Sequence, residues 1–367
     1  MCKKYILSFL VLIMYVLFTT NYADANDFNN SNEIIIVENI ENKQIDEDIV
    51  NEENVNDTII EATHEFFYDV PVSHYAYESI NNLYNIGAIN YREAHKYSPD
   101  ALISRAEFVH MLLSAMGIIP FEQHSSIFKD VNPNDPYAAY IDTAYRLGIV
   151  DGAGNNQFRP GDPVKRDALI KMLVTASGKL DVMWSLPWSE LNSILSKFND
   201  KDKLNNFENW SPHYISFAIK NNLINGYPDN TIRPNQNTTR AEAAVIINRL
   251  FATDNTNKSS EIELLASVSD YPFKYTKELD MVATKYNSNE PGLSQYTASG
   301  LKTRVGVVAV DRNVIPLGTH LYVEGYGFAI AADTGGAIRG NKIDLYAANV
   351  NEANQFGIQN VKVFVLQ

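Results

Sequence analysis

YSPDALISRAEF (Tyr97–Phe108), FRPGDPVKRDAL (Phe158–Leu169) and IRPNQNTTRAEA (Ile232–Ala243) are three versions of one string. In each, an arginine follows a proline by six residues: Pro99 and Arg105, Pro160 and Arg166, Pro234 and Arg240. Upstream of each proline stands a Phe-x-Asp triplet, ending in Asp69, Asp130 and Asp200. The Asp-to-Pro interval is 30 residues in the first two copies and 34 in the third. A fixed spacing met three times marks an internal repeat. Between the landmarks, YAYESINNLYNIGAI and YAAYIDTAYRLGIVDG place apolar residues at helical period, and ISRAEFVHMLLSAMG does so after the arginine. Each unit therefore reads as helix, loop, helix. Asp151-Gly152 and Asn225-Gly226 are expected to end the first helices of units two and three. Ser104 and Thr239 suit N-caps of the second helices, with Glu107 and Glu242 complementing the N-termini. A single unit cannot bury both its helices, but three together can.

Outward from the repeats, composition sets limits. The chain opens with Lys3 and Lys4, an apolar run from Tyr5 to Phe18, and Ala23-Asp24-Ala25. This reads as a secretory signal peptide, residues 1–25, with no stable membrane insertion after cleavage. The one cysteine, Cys2, lies within it, so neither disulfides nor thiolate-bound metal is expected in the mature protein. About 340 remaining residues suggest two or three packed units. Residues 26–64 are rich in Asn and acid and read as a self-repelling, disordered spacer. They carry most of the formal net charge of −14, which leaves the remainder only mildly acidic. With no basic stripe, nucleic acid is excluded as a partner. The seven histidines are scattered without metal-ligand spacing, and no metal or cofactor is expected.

The repeats resemble the S-layer homology (SLH) family. The likeness rests on the Ser/Thr-Arg-Ala-Glu strings and on GYPDNTIRP (Gly226–Pro234). It implies an all-α, three-pronged module, here residues 65–120, 121–180 and 181–253, that binds secondary cell-wall polymers, often pyruvylated. The resemblance places Arg105, Arg166 and Arg240 in the grooves, facing anionic glycan. A guanidinium suits that task, because it is permanently charged and grips a carboxylate with two parallel hydrogen bonds. Helix bracing is the alternative role for these arginines. Arg166 departs from the pattern, since Asp167 and Ala168 replace Ala and Glu. An insertion, DVMWSLPWSELNSILSK, separates units two and three. Its Trp184 and Trp188 are expected to pack between prongs, with stacking on sugars as the alternative.

After a polar linker, residues 254–272, the pattern changes. ELDMVATKY, RVGVVAV, HLYVEGYGFAIAA, KIDLY and VKVFVL are strand-like runs broken by Gly, Pro, Asn and Asp. Five or six strands in about 90 residues suggest a small closed barrel. In Lys342–Tyr346, alternation sends Ile343 and Leu345 to one face and Asp344 to the other. Asp333 ends a strand before Gly335-Gly336, a pair expected to supply positive φ. Asp311 ends another strand. Each aspartate is also ordinary turn chemistry. His320 and Tyr346 are expected to pack or hydrogen-bond locally.

This C-terminal stretch, residues 273–367, resembles the 3D domain, named for three aspartates. The residues that carry the likeness are TKYNS (Thr284–Ser288), TASG (Thr297–Gly300), VVAVDRNVIPLGT (Val307–Thr319), VEGYG (Val323–Gly327) and ADTGGAIRGNKIDLY (Ala332–Tyr346). The resemblance implies an all-β, six-stranded double-psi β-barrel. It also implies kinship with MltA-type lytic transglycosylases, which share Asp-x-Gly-Gly-Ala-Ile-Lys/Arg-Gly and a second Asp eleven residues after the first. Asp333 and Asp344 match that interval. The implied reaction cuts the MurNAc-β-1,4-GlcNAc bond of peptidoglycan glycan strands. Asp344 would be general acid and then base, Asp333 its tuner through like-charge repulsion, and Asp311 a residue that shapes the site. Thr284, Thr297 and the backbone amides of Gly335 and Gly336 are candidates for holding sugar hydroxyls.

The sequence thus reads as a secreted, multidomain protein: an SLH tether on a Gram-positive-type cell surface, joined to a peptidoglycan-cleaving barrel. Two alternatives stand beside it, a non-catalytic wall-binding or S-layer protein and a two-carboxylate hydrolase.

Overall fold

The computed structural model describes residues 66–89, 95–120, 127–204, 211–252, 273–287 and 294–366. The signal peptide, acidic spacer and linker expected from the sequence lie outside the described residues. From Phe67 onward the chain is one compact unit, helical at first and closing in a β-barrel. Among the described residues no helix is long and apolar enough to cross a membrane.

The helical part contains α1 (Tyr77–Asn85), α2 (Arg105–Ala115), α3 (Ala138–Arg146), α4 (Arg166–Ala176), α5 (Leu180–Trp184), α6 (Trp188–Leu195), α7 (Ser211–Lys220) and α8 (Arg240–Ala252). The repeats do not fold as three separate helix pairs. The first helix of each unit packs on the second helix of the preceding one: α3 on α2, α7 on α4, and α1 on α8. The second helices α2, α4 and α8 also pack on one another, so the three units close into a ring. Backbone bonds close it too. Ile103 N–H donates to Thr238 O, Thr238 N–H to Val164 O, and Val164 N–H to Ile103 O, at 3.1, 2.9 and 3.1 Å. The first amide of each second helix, at Arg105, Arg166 and Arg240, donates to a loop carbonyl of a neighbouring unit at 2.9 Å. That satisfies donors which a helix leaves open at its N-terminus. The expectation of an all-α module is corrected accordingly, because three isolated antiparallel bridges link the loops: Leu102 with Thr239, Ser104 with Pro163, and Lys165 with Asn237.

The repeated aspartates have one job. Asp69, Asp130 and Asp200 each accept two successive amides of the loop before the proline: Tyr97 and Ser98, Phe158 and Arg159, Ile232 and Arg233. The second residue of each pair has φ near +60°, a conformation costly for a side chain with Cβ, and the carboxylate holds it there. Ser104 caps α2 through the Glu107 amide. Thr239 and Glu242 form a reciprocal capping box on α8. The expected helix ends are moved. α3 stops at Arg146, with Gly148 at φ +72°, and α7 stops at Lys220, with Asn222 at φ +57°. Gly152 and Gly226 serve another purpose: a Cβ on either would collide with the ring of Phe128 or Phe198.

The C-terminal part is a closed barrel of β1 (Tyr275–Tyr286), β2 (Val307–Val310), β3 (His320–Val323), β4 (Gly327–Asp333), β5 (Lys342–Tyr346) and β6 (Gln359–Leu366), in the order β1-β5-β2-β4-β3-β6. The β1–β5 and β2–β4 pairs are parallel, the others antiparallel. Inward residues Met281, Ala283, Val308, Val310, Leu321, Ile343, Leu345 and Val363 fill the core. The all-β expectation is corrected by α9 (Val350–Phe356), which packs on β1. Asn349 caps it through the Glu352 amide.

The second repeat and the barrel meet along a seam. Arg304, 8% exposed, donates to Asp151 Oδ1 at 2.7 Å, to Tyr145 O and to Val150 O, with its guanidinium 4.2 Å from the Tyr145 ring centre. Helix α3 lies on β4. Burial would raise the Asp151 pKa, but Lys171 and Arg304 outweigh it and bring the value to about 2. His320 is buried in the seam against the Leu147 backbone, and burial drives its pKa down to about 4. The two groups give separate pH windows. The unfolded imidazole takes up a proton near pH 6.5 that the folded one refuses until about pH 4, so stability falls as pH drops through that range. At about 1.4 kcal/mol per pH unit, the loss reaches about 3 kcal/mol. The Asp151 contribution is present above the ordinary carboxylate pKa and is lost only as pH falls from there toward 2. A thermal-unfolding pH series should show the first window, and His320→Asn should flatten it between pH 6.5 and 4.

Candidate active site and wall-facing grooves

The outward face of the barrel gathers the acids. On β5, Ile343 and Leu345 are buried at 0% and 1% exposure and Asp344 points out. On β1, Thr284 lies directly beside Asp344, and its hydroxyl donates to Asp344 Oδ1 at 2.7 Å. Across β2, Ala309 pairs with Asp344 on one side and Asp333 on the other. Strict alternation along β4 would send Asp333 inward with Ala329 and Ala331. The register instead jumps from Val308–Ala331 to Ala309–Asp333. Ala332 is thus the extra residue of a bulge, and it returns Asp333 to the outer face. Two strand spacings separate Asp333 and Asp344, about 9–10 Å between Cα atoms, with Ala309 on the strand between them.

Each acid is held differently. Asp333 Oδ1 accepts the amides of Ala298 and Thr334 at 3.0 and 2.8 Å. Asp311 accepts Asn313 N–H at 3.0 Å and Gly340 N–H at 2.8 Å. These two amides hold its carboxyl below the usual carboxylate range. Asp311 therefore staples the loop after β2 to the loop before β5, and it makes no bond to the other two aspartates. Thr297 is buried and its hydroxyl accepts Leu301 N–H at 3.0 Å. It shapes the turn that delivers the Ala298 amide to Asp333.

Neither Gly335 nor Gly336 has positive φ, contrary to expectation; Gly340 does, at +62°. Gly335 is required by space, since a Cβ there would lie 2.8 Å from Ile338 Cγ1. The Gly335 carbonyl accepts Ile338 N–H, and Gly336 is exposed with nothing near a notional Cβ. Tyr286, not among the site residues expected from sequence, stands on the face of Thr284, edge-on to Tyr346 at 5.4 Å. Nothing local in the sequence marked Tyr286, because its place depends on the β1–β5 register.

The three repeat arginines occupy matching positions between units. Arg105 donates through Nε to Phe158 O at 2.8 Å and lies over the Phe158 ring at 4.7 Å. Arg240 does the same with Tyr97, at 2.7 and 4.4 Å. It is 2% exposed and ion-paired with Glu107. Arg166 meets a loop that has Ile232 where the others have Tyr97 and Phe158. It reaches Asn225 O at 3.1 Å and Tyr227 at 4.9 Å instead, and its buried Nε finds no partner among the described residues. Bracing is therefore visible for all three, and Arg105 and Arg166 lack an ion pair among the described residues. Trp184 and Trp188 pack against the His213 ring at 4.8 and 4.9 Å and remain 38% and 55% exposed. No group of three or more His, Cys, Asp or Glu among the described residues is arranged to hold a metal.

Comparison with known proteins agrees with both resemblances. Residues 306–367 match the 3D domain, and residues 127–170 and 205–244 match the S-layer homology domain. The cell wall-binding protein YocH of Bacillus subtilis (strain 168) is 50% identical over 95 residues, 25% of this chain and 33% of that protein. An amylopullulanase of Thermoanaerobacterium thermosulfurigenes is 34% identical over 152 residues, 41% of this chain and 8% of that protein. The chain thus spans a third of the first relative and under a tenth of the second. Among solved structures, MltA from Escherichia coli, a lytic transglycosylase, aligns over 20% of this chain and 27% of its own at 28% identity and a TM-score of 0.18.

Proposed function

Because this chain carries an S-layer homology region and a C-terminal 3D domain, we propose that it is a cell-surface protein which tethers itself to wall polymer and cleaves peptidoglycan as a lytic transglycosylase. The observation that carries the reading is the placing of Asp344 and Asp333 on one outward face, either side of Ala309, with Thr284 fixed on Asp344. The parallel β1–β5 and β2–β4 pairs within six closed strands support the double-psi reading of the barrel.

In the proposed reaction Asp344, protonated, gives its proton to the glycosidic oxygen as the C1–O bond breaks. The resulting carboxylate then takes the proton of the MurNAc 6-hydroxyl, and O6 bonds to C1. The state left by the first step is the state that the second requires, and no water is consumed. Asp333 tunes Asp344 by keeping a negative charge across Ala309. Thr284 and the Gly335-Gly336 backbone, half-buried at Gly335 and exposed at Gly336, are the proposed sugar contacts. Thr297 and Asp311 support the loops around them.

A second reading is a binder that does not cut, favoured by the name of the relative YocH. Incubating the full chain with purified peptidoglycan separates the two. Soluble muropeptides are expected; binding without release would replace catalysis by adhesion.

For the tether, Arg105 and Arg166 are the proposed polymer contacts, with Arg240 more deeply committed to Glu107 and Tyr97. Hydrogen bonds to charged groups contribute about 1.5–3 kcal/mol each. The double variant Arg105→Ala/Arg166→Ala should therefore weaken co-sedimentation of the full chain with purified secondary wall polymer by about tenfold or more. Equal sedimentation by a folded double variant would remove these arginines from the polymer site.

A further inference from the structure

Tyr286 ends β1 with its backbone and its ring both fixed. Its carbonyl accepts Ala347 N–H at 2.8 Å, and its ring stands at 87° to that of Tyr346. Yet its hydroxyl oxygen is buried without a hydrogen-bond partner among the described residues. The neighbouring Tyr326 is different, since its hydroxyl donates to Tyr346 O and accepts Gly306 N–H. A buried hydroxyl left unpaired costs free energy, and such exceptions call for a functional account. The groups that bear on it are Asp333 from β4, Asp344 and Tyr346 from β5, and Tyr326 from the turn before β4. Lys285, its neighbour on β1, is engaged by Glu352 of α9. Burial, then the charge of Asp333, hold the phenol well above its ordinary value. It is therefore a neutral donor throughout the working pH range, never a base. Asp333 is held on one side only. Both of its amide donors reach Oδ1, and Oδ2 has no donor among the described residues.

We propose that Tyr286 is the positioning residue of the carboxylate pair: when a glycan lies on the outward face that carries them, its hydroxyl donates to Oδ2 of Asp333 and keeps that carboxylate ionised. This rests on the reading of Asp344 as the acid, because an ionised Asp333 is what keeps Asp344 protonated. Hydrogen bonds that are long in an empty site tighten as substrate enters. Asp333 then has backbone donors on one oxygen and the phenol on the other, and the proton stays with Asp344.

Tyr286→Phe in the full chain keeps the ring and its stacking and removes only the hydroxyl. The thermal midpoint should hold or rise, since an unpaired polar atom is gone. The KM for peptidoglycan should be unchanged. The acid limb of the kcat–pH profile should move up by about one to two pH units, the size expected for one hydrogen bond to a charged group, while the alkaline limb stays in place. A raised KM with both limbs fixed would instead make the hydroxyl a sugar contact, and a lowered midpoint with fixed limbs would make it structural; either overturns the proposal. Absence of muropeptide release by the natural protein would defeat the cleavage reading separately. The role of Tyr286 would then be decided with aspartate carboxyls labelled with ¹³C, titrated in the presence of a β-1,4-linked N-acetylglucosamine hexamer. A higher midpoint for Asp333 in Tyr286→Phe supports the proposal, and coincident curves overturn it.

Discussion

Asp344→Asn should lower muropeptide release by roughly 10²–10⁴-fold, the range contributed by a positioned acid–base group, without loss of fold. The amide is isosteric with the carboxyl, and its Oδ1 can still accept the Thr284 hydroxyl that now reaches Asp344 at 2.7 Å. The strand environment is unchanged, since Ile343 and Leu345 keep β5 in the core. What the variant loses is the proton for the leaving oxygen, and with it the base for the second step. A thermal midpoint within a degree or two of the natural protein, combined with that loss of rate, would isolate the chemical role. Activity within tenfold of the natural protein would remove Asp344 from the mechanism, whatever its fold.

Gly306→Ala should open the seam between the second repeat and the barrel. Gly306 has φ +94°, and a Cβ there would lie 2.5 Å from both Cα and O of Arg146, atoms of the α3 backbone that have no rotamer to escape into. Its amide donates to the Tyr326 hydroxyl and its carbonyl accepts Ile330 N–H at 2.7 Å, so the residue cannot move away from the helix. Overpacking costs about 1–3 kcal/mol and the left-handed conformation about 1–2 kcal/mol more. The expected result is destabilisation by about 3 kcal/mol, with a single calorimetric transition dividing into separate anchor and barrel transitions. Gly300→Ala is the control. It has φ +78° and nothing within 4 Å of its notional Cβ, so it should show the conformational cost alone. Equal melting curves for the two variants would mean that the seam does not bind the two regions together.

Much of this architecture was legible because it is periodic. Alternation in KIDLY put Asp344 opposite Ile343 and Leu345, and the fixed Pro-to-Arg interval announced three units. The rest depended on distant partners. Helical spacing in α2 says which face is apolar but not that α3 of the next unit will cover it. The bulge at Ala332 comes from pairing with β2, so a reading of β4 alone would have turned Asp333 into the core. The seam stayed hidden because Arg304 and Asp151 are far apart in sequence, and because a polar linker suggested independent modules. The helix VNEANQF is hard to read from sequence for a simpler reason. It is short and polar, and Ala353 is its one buried residue, so it carries little helical signature. Gly335-Gly336 misled in the other direction. The pair resembles a left-handed turn, whereas close approach to Ile338 is what demands glycine at 335.

The most direct measurement of the central claim is the fate of solvent oxygen during cleavage. Purified peptidoglycan should be digested by the full chain in water enriched in ¹⁸O and the released muropeptides weighed by mass spectrometry. Intramolecular attack by the MurNAc 6-hydroxyl predicts 1,6-anhydro ends that carry no ¹⁸O. Reducing ends carrying ¹⁸O, or glycan strands bound but left uncut, would contradict it.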